Sequence, residues 1–273
     1  FSNQNFAFPT MPGTNEELLP TGIARFDQET GGLPMSGLTI VAARPQIGKT
    51  SLALNIARNA ALRQGRSVAI LSPLIAREDL ATRLIAAEAQ LPYRDLFTDQ
   101  LAAQQQQRVA AAIGAICNGR IAVDNRPFDG LTDLSERVLR LRQERNVGLI
   151  VIDYLQIIDP TADNSSRSDA TTAGGLKALA SEHGIAIIAL SQLCATTDAS
   201  NVRPTLDDLP SSDALQQDAD TIMLVHRPEK TATEQPASEQ SRTTTLELII
   251  GKNRSAPPFT TTLTYDHPST HCQ

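Results

Sequence analysis

The segment Ala43-Arg44-Pro45-Gln46-Ile47-Gly48-Lys49-Thr50 restricts this chain more than any other part of it. Its spacing is GxxxxGK[ST], with alanine at the first glycine position, where a small residue still fits. A loop of this kind turns its backbone N–H groups toward an anion. Gly48 lets the chain approach a phosphate without a Cβ clash. Lys49 supplies a point charge beside β and γ phosphates, and Thr50 offers a hydroxyl to a magnesium ion. The flanks agree: residues 38–42 are a short apolar run that reads as a strand, and residues 51–63 read as a helix whose positive N-terminal end adds to the cradle. A chance match in an ordinary turn would have neither flank. The nucleotide-binding segment therefore runs from Ala43 to Ser51.

A second signal lies further on. Leu149-Ile150-Val151-Ile152 is apolar throughout, which implies burial on both faces, and it ends in Asp153. An acid at the tip of such a strand sits beside the phosphate loop and can hold a magnesium shell through water. Thr50 and Asp153 are thus the metal candidates, with ATP and Mg2+ as ligands.

Strand and helix signals alternate along the chain. Residues 67–71, 121–124, 148–153, 185–191 and 220–225 read as strands. Residues 77–90, 102–117, 131–145 and the stretch holding 176–182 read as helices, and 246–252 with 259–265 as a terminal antiparallel pair. The pattern predicts a mainly parallel sheet covered on both faces. Polar stretches 161–169, 195–208 and 229–242 read as loops. Residues 1–20 read as an N-terminal arm or linker, ahead of an ATPase domain over 21–273.

Composition narrows the classes. The 273 residues are 41% apolar, sufficient for a packed core, but only 4% aromatic with no Trp, so aliphatic side chains must fill that core. A net charge of −6 offers no general basic face, so nucleic-acid contact must be local or shared among subunits. Cys117, Cys194 and Cys272 are far apart, without disulfide-framework or zinc spacing, which fits a reducing cytoplasm. His183, His226, His267 and His271 show no ligand spacing either. No membrane span or signal peptide is visible.

Several longer words now carry a resemblance. Thr21-Gly22-Ile23, Phe26-Asp27 and Gly31-Gly32-Leu33 precede the loop, followed by AARPQIGKTSLALNIA (42–57), IDYLQII (152–158), LKALA (176–180), IALSQL (188–193), QQDAD (216–220) and IIGKNR (249–254). Together these resemble the C-terminal motor domain of DnaB-type replicative helicases, over nearly the whole chain. The resemblance implies a RecA-like P-loop NTPase core: α/β, with a mainly parallel sheet, helices on both faces and a C-terminal antiparallel extension. It implies a hexameric ring with ATP between subunits, moving on single-stranded DNA. It also implies that Lys49 and Thr50 bind phosphate and magnesium, that Asp153 completes the metal site and that Gln192 senses the γ-phosphate. Lys252 and Arg254 match a pair that reaches into the neighbour's ATP site. Read without the family, that pair alternates along a strand end and is also open to a reading as surface charge.

Three departures from the family pattern stand out. The family carries a water-activating Glu shortly after its second strand; Leu74 falls there, and Leu cannot accept a proton. Glu78 and Asp79 lie nearby and read as helix N-terminal acids. A basic residue and a Gly precede the family's QDAD-like word, where this chain has Leu209-Pro210-Ser211-Ser212-Asp213; Pro lacks a donor and Asp213 repels phosphate. The loop after Gln192 lacks the family's arginine, and only Arg203 remains within it. A DnaB-type motor is the first reading. A hydrolysis-impaired ring subunit, co-assembling with related helicase subunits as scaffold or regulator, is the second. A RecA- or RadA-like recombination ATPase is the third.

Overall fold

The computed structural model describes residues 17–98, 101–158, 166–193, 202–210, 212–228, 243–266 and 271–272. In chain order the elements are β1 (Leu18–Leu19), α1 (Ala24–Thr30), β2 (Leu33–Pro34), β3 (Leu38–Ala43), α2 (Lys49–Arg63), β4 (Ser67–Leu71), α3 (Arg77–Ala89), α4 (Ala103–Asn118), β5 (Ile121–Asp124), α5 (Gly130–Arg145), β6 (Val147–Ile152), α6 (Ser166–His183), β7 (Ala186–Gln192), α7 (Ser212–Asp218), β8 (Thr221–His226), β9 (Thr243–Asn253), β10 (Phe259–Asp266) and β11 (His271–Cys272). β1 and β2 pair as a small ribbon; the other nine strands form one sheet in the order β11-β10-β9-β8-β3-β7-β6-β4-β5. From β5 to β8 the pairing is parallel, and β9, β10 and β11 extend it antiparallel. This is the expected architecture, extension included.

The central strands are apolar at every position because both faces are covered. Successive residues then divide between two cores. Val41, Ile70, Val151 and Ile188 face α2 and α3, packing with Leu52, Ile56, Leu80 and Leu84. Ile40, Leu71, Ile150 and Ile187 face α5, α6 and α7, packing with Leu134, Val138, Leu176 and Leu215. α2 buries Ala53, Ala57, Ala60 and Ala61, and these small side chains let it lie close over the sheet. With few aromatics available, Phe26 of α1 is fully buried and meets Phe259 of β10, ring centroids 6.3 Å apart.

Two of the three expected loops differ in part. Within 161–169, α6 already begins at Ser166. Its polar first turns are carried by Ala173, Leu176 and Ala180 further along, since packing of an apolar stripe stabilises a helix more than propensity does. Within 195–208, Leu206–Asp208 forms a 3-10 turn, where Thr205 N–H donates to Asp208 Oδ2 at 2.7 Å. The expected loop over 229–242 lies outside the described residues, as do residues 1–16 and Cys194 to Asp198. Leu18 and Leu19, at the end of the expected arm, form β1, and Leu19 is buried.

Candidate nucleotide site

β3 lies between β7 and β8, and the chain leaves its carboxyl end at Ala43 to turn back into α2. The turn needs positive φ at Gln46 (62°) and Gly48 (119°). Gly48 tolerates this readily; for Gln46 it is strain of the kind that gathers at ligand sites. Gly48 is also the N-cap of α2 and offers no side-chain cap, so the positive end of the helix is left to an external anion. Arg44 is exposed along part of its length and its Nη1 donates to Val202 O at 2.7 Å, while Pro45 and Gln46 are exposed, Ile47 leans on the core and Ser51 is buried.

Asp153 follows β6 and is 6% exposed. The Thr50 hydroxyl donates to its Oδ2 at 3.0 Å, across 103 positions of sequence. Burial pushes the Asp153 carboxyl up from its ordinary range, opposed by the Thr50 hydrogen bond and by the charges of Lys49 and Arg83. Burial likewise draws the Lys49 ammonium down, with Asp153 acting in the other direction. Lys49 Nζ stands 5.8 Å from the centre of the Tyr154 ring. A buried carboxylate whose ionised form is disfavoured, joined to a hydroxyl at the positive end of a helix, is a set of hard oxygen donors awaiting a cation. The residues therefore fit a magnesium–triphosphate.

Gln192 ends β7 opposite Ala43, with Leu193 N–H donating to Ala43 O at 3.2 Å. Its side chain is exposed at the same carboxyl edge. Gln156 joins the two strand ends: its Nε2 donates to Ser191 Oγ at 3.0 Å and its Oε1 accepts from Gln192 N at 3.4 Å. The sequence reading quoted Gln156 within IDYLQII without giving it a role. Arg227, just past β8, also went unnoticed; its Nη2 approaches Gln46 O at 3.5 Å. A lone arginine after an apolar strand carries no signal until the strand order places it beside the phosphate loop.

Lys49, Thr50, Asp153 and Gln192 thus come together, whereas Lys252 and Arg254 do not join them. Asn253 pairs with Thr221, and Thr221 with Thr39, at the amino edge of β3, opposite the phosphate loop. Arg254 N–H meets Asp220 O and Asp220 N–H meets Leu38 O, so Arg254 is level with Leu38, and the five rises of roughly 3.3 Å from Leu38 to Ala43 make about 17 Å. Leu74 lies between β4 and α3 at the carboxyl edge and is 65% exposed. Glu78 and Asp79 occupy the first turn of α3, where Asp79 binds Arg83 at 3.0 Å and accepts the Tyr93 hydroxyl, the helix role expected of them. Arg203 is exposed and tied to Glu247 at 2.9 Å and to Thr260 Oγ1 at 2.7 Å. In the expected DNA segment, Leu209 is buried and Ser212 already opens α7, with Asp213 exposed in its first turn; Ser211 lies outside the described residues. Among the described residues no group of His, Cys, Asp and Glu forms a metal cluster, and no helix is long and apolar enough to cross a membrane.

The family model of the DnaB-like helicase C terminal domain matches residues 19–273. The chain belongs to that family. It is 34% identical over 251 residues to the replicative DNA helicase DnaB of Geobacillus stearothermophilus, covering 90% of this chain and 54% of that protein. The chain therefore spans about half the length of such relatives. Among solved structures, a DnaB-like replicative helicase, described with its interactions with primase, gives a TM-score of 0.81 at 26% identity, over 94% of this chain and 62% of that one. A second solved structure, of an ATPase domain, superposes with a TM-score of 0.79 at 26% identity, over 96% of this chain and 92% of that one. Membership of the DnaB-like family separates this chain from the RecA and RadA recombination ATPases.

Proposed function

We propose that this chain is the motor of a DnaB-type replicative helicase, an ATPase that works as a ring on single-stranded DNA, in the cytoplasm. The observation that carries the reading is the 3.0 Å contact between the Thr50 hydroxyl and the buried Asp153 carboxylate at the head of α2. Phosphates lie against the backbone of Ala43 to Thr50 and the start of α2, and Lys49 holds the β and γ groups. Thr50 and Asp153 hold Mg2+, which when bound neutralises charge building on the phosphate oxygens. Gln192, whose backbone N–H is held by Gln156, would sense the γ-phosphate from the carboxyl edge of β7. Lys252 and Arg254 serve the adjacent subunit's nucleotide, because their own lies at the other edge of the sheet. Ring assembly, as a hexamer or with related helicase subunits, follows from that division of labour.

One observation favours a second reading. The residue beside the nucleotide that should orient water is an exposed leucine, Leu74. A subunit that binds ATP, joins the ring and hydrolyses little would look the same. ATP turnover with and without single-stranded DNA distinguishes the two. A motor is stimulated by DNA and is silenced by Lys49→Ala without loss of folding. Turnover at background, with ATP still bound, supports the scaffold and rejects the motor.

A further inference from the structure

Three words of sequence far apart in the chain meet at the amino edge of the sheet. LKALA contributes Lys177, QQDAD contributes Asp220, and IIGKNR contributes Lys252 and Arg254. Asp220 is 5% exposed, and every polar group it owns is engaged. Its Oδ2 accepts Leu38 N–H at 2.8 Å and Lys177 Nζ at 2.7 Å, and its Oδ1 forms an ion pair with Arg254 Nε at 3.0 Å. Its backbone N–H donates to Leu38 O at 2.8 Å, and its carbonyl accepts Arg254 N–H at 3.1 Å. Arg254 is held at Nε while its side chain stays 55% exposed. A guanidinium gripped this way keeps its outer amino groups for another anion. Lys252 Nζ donates to the carbonyls of Gln216 and Gln217, in the last turn of α7. One short segment, α7 with Asp220, therefore fixes both cations.

We propose that Asp220 is the positioning residue that aims Arg254 at the neighbouring subunit's nucleotide. The proposal rests on the reading of Arg254 as a residue acting on the adjacent subunit. Asp220 does not touch nucleotide; it removes the rotational freedom of a long side chain before the subunits meet, so that less is lost on forming the interface. Lys177 offsets the charge of the buried carboxylate, and α7 makes the aim depend on the segment that begins at Ser212. Asn at 220 carries no charge to pair with Lys177 and Arg254 and offers one acceptor oxygen in place of two, so it cannot hold Leu38, Lys177 and Arg254 together.

The test uses the full-length assembled protein, with assembly followed by sedimentation. Arg254→Ala is expected to bring ATP turnover to background with rings intact. Asp220→Asn is expected to lower kcat by up to about a hundredfold while KM for ATP stays within about twofold. A merely structural loss would move activity in proportion to assembly or raise KM. Because Asp220→Asn leaves Lys177 without its opposite charge, the pair variant Lys177→Met with Asp220→Asn removes both charges together and is expected to show the same kcat loss. If Arg254→Ala retains turnover, the reading of Arg254 fails. If Arg254→Ala is inactive while Asp220→Asn and the pair variant keep the parent kcat, the positioning role is overturned and the reading of Arg254 stands.

Discussion

At the scale of single residues, Asp153 is buried, hydrogen-bonded to the Thr50 hydroxyl and under the influence of the Lys49 charge, and its carboxyl is raised above the ordinary range by that burial. The sign of the linkage follows. A raised folded value means that the protonated form is favoured in the fold, so the contribution is fully present below the ordinary carboxylate range and is lost as pH rises through the raised value. Near neutrality the charge therefore opposes folding of the ligand-free chain. Asp153→Asn is expected to leave unfolding stability equal or higher by about 1 kcal/mol, while the stabilisation given by magnesium–ATP disappears. Urea unfolding with and without the ligand checks both. In the parent, magnesium stabilisation should weaken as pH falls through the Asp153 range, since protons compete for the same oxygens. Leu74 offers a gain rather than a loss. It is 65% exposed, so Leu74→Glu should change stability by less than about 0.5 kcal/mol. If the missing carboxylate limits hydrolysis, turnover rises; an unchanged rate places the limit elsewhere.

Among elements, α7 does more than its seven residues suggest. It is too short to be stable alone and depends on Leu215, which is fully buried against the α6 side of the sheet. Leu215→Ala is expected to cost about 2–4 kcal/mol, measured by urea unfolding. The helix also carries the carbonyls that hold Lys252 and leads directly to Asp220, so the same variant should lower ATP turnover more steeply than stability alone predicts. By contrast, the words before the phosphate loop prove to be turn hardware. Asp27 accepts Thr21 N–H at 2.8 Å, Thr21 Oγ1 at 2.7 Å and Gly22 N–H at 2.8 Å. A Cβ on Gly32 would lie 2.5 Å from Leu19 O, so the second glycine of Gly31-Gly32-Leu33 is required by the backbone of β1. These residues carry the family likeness without carrying its chemistry.

For the whole molecule, the proposed function divides one reaction between two edges of the sheet. Lys49, Thr50, Asp153 and Gln192 stand at the carboxyl edge, and Lys252 and Arg254 at the amino edge of the same strands. No small movement within one chain closes the gap of about 17 Å between Arg254 and the phosphate loop, measured by strand rise. On the proposed reading a complete site needs a second chain, so specific ATP turnover should fall on dilution, along with the assembled fraction seen by sedimentation. Specific turnover independent of concentration down to fully monomeric protein would sink this division.

The sequence by itself determined the local pieces: the phosphate loop, the doubly buried strands ending near Asp153 and Gln192, and the antiparallel pair at the end. Each is legible because its signal is short-range. Strand burial shows as unbroken apolar runs, and the Gly48-Lys49-Thr50 turn has few substitutes. Tertiary structure alone decided which ends meet. The strand order puts Asp153 against Thr50 and Gln156 against Gln192, and it sends Arg254 to the far edge, beside Asp220 and Lys177. Pairing between strands hundreds of atoms apart leaves no periodic trace in a chain. A buried aspartate with two donors and an arginine ion pair reads, in sequence, like any acid before a strand.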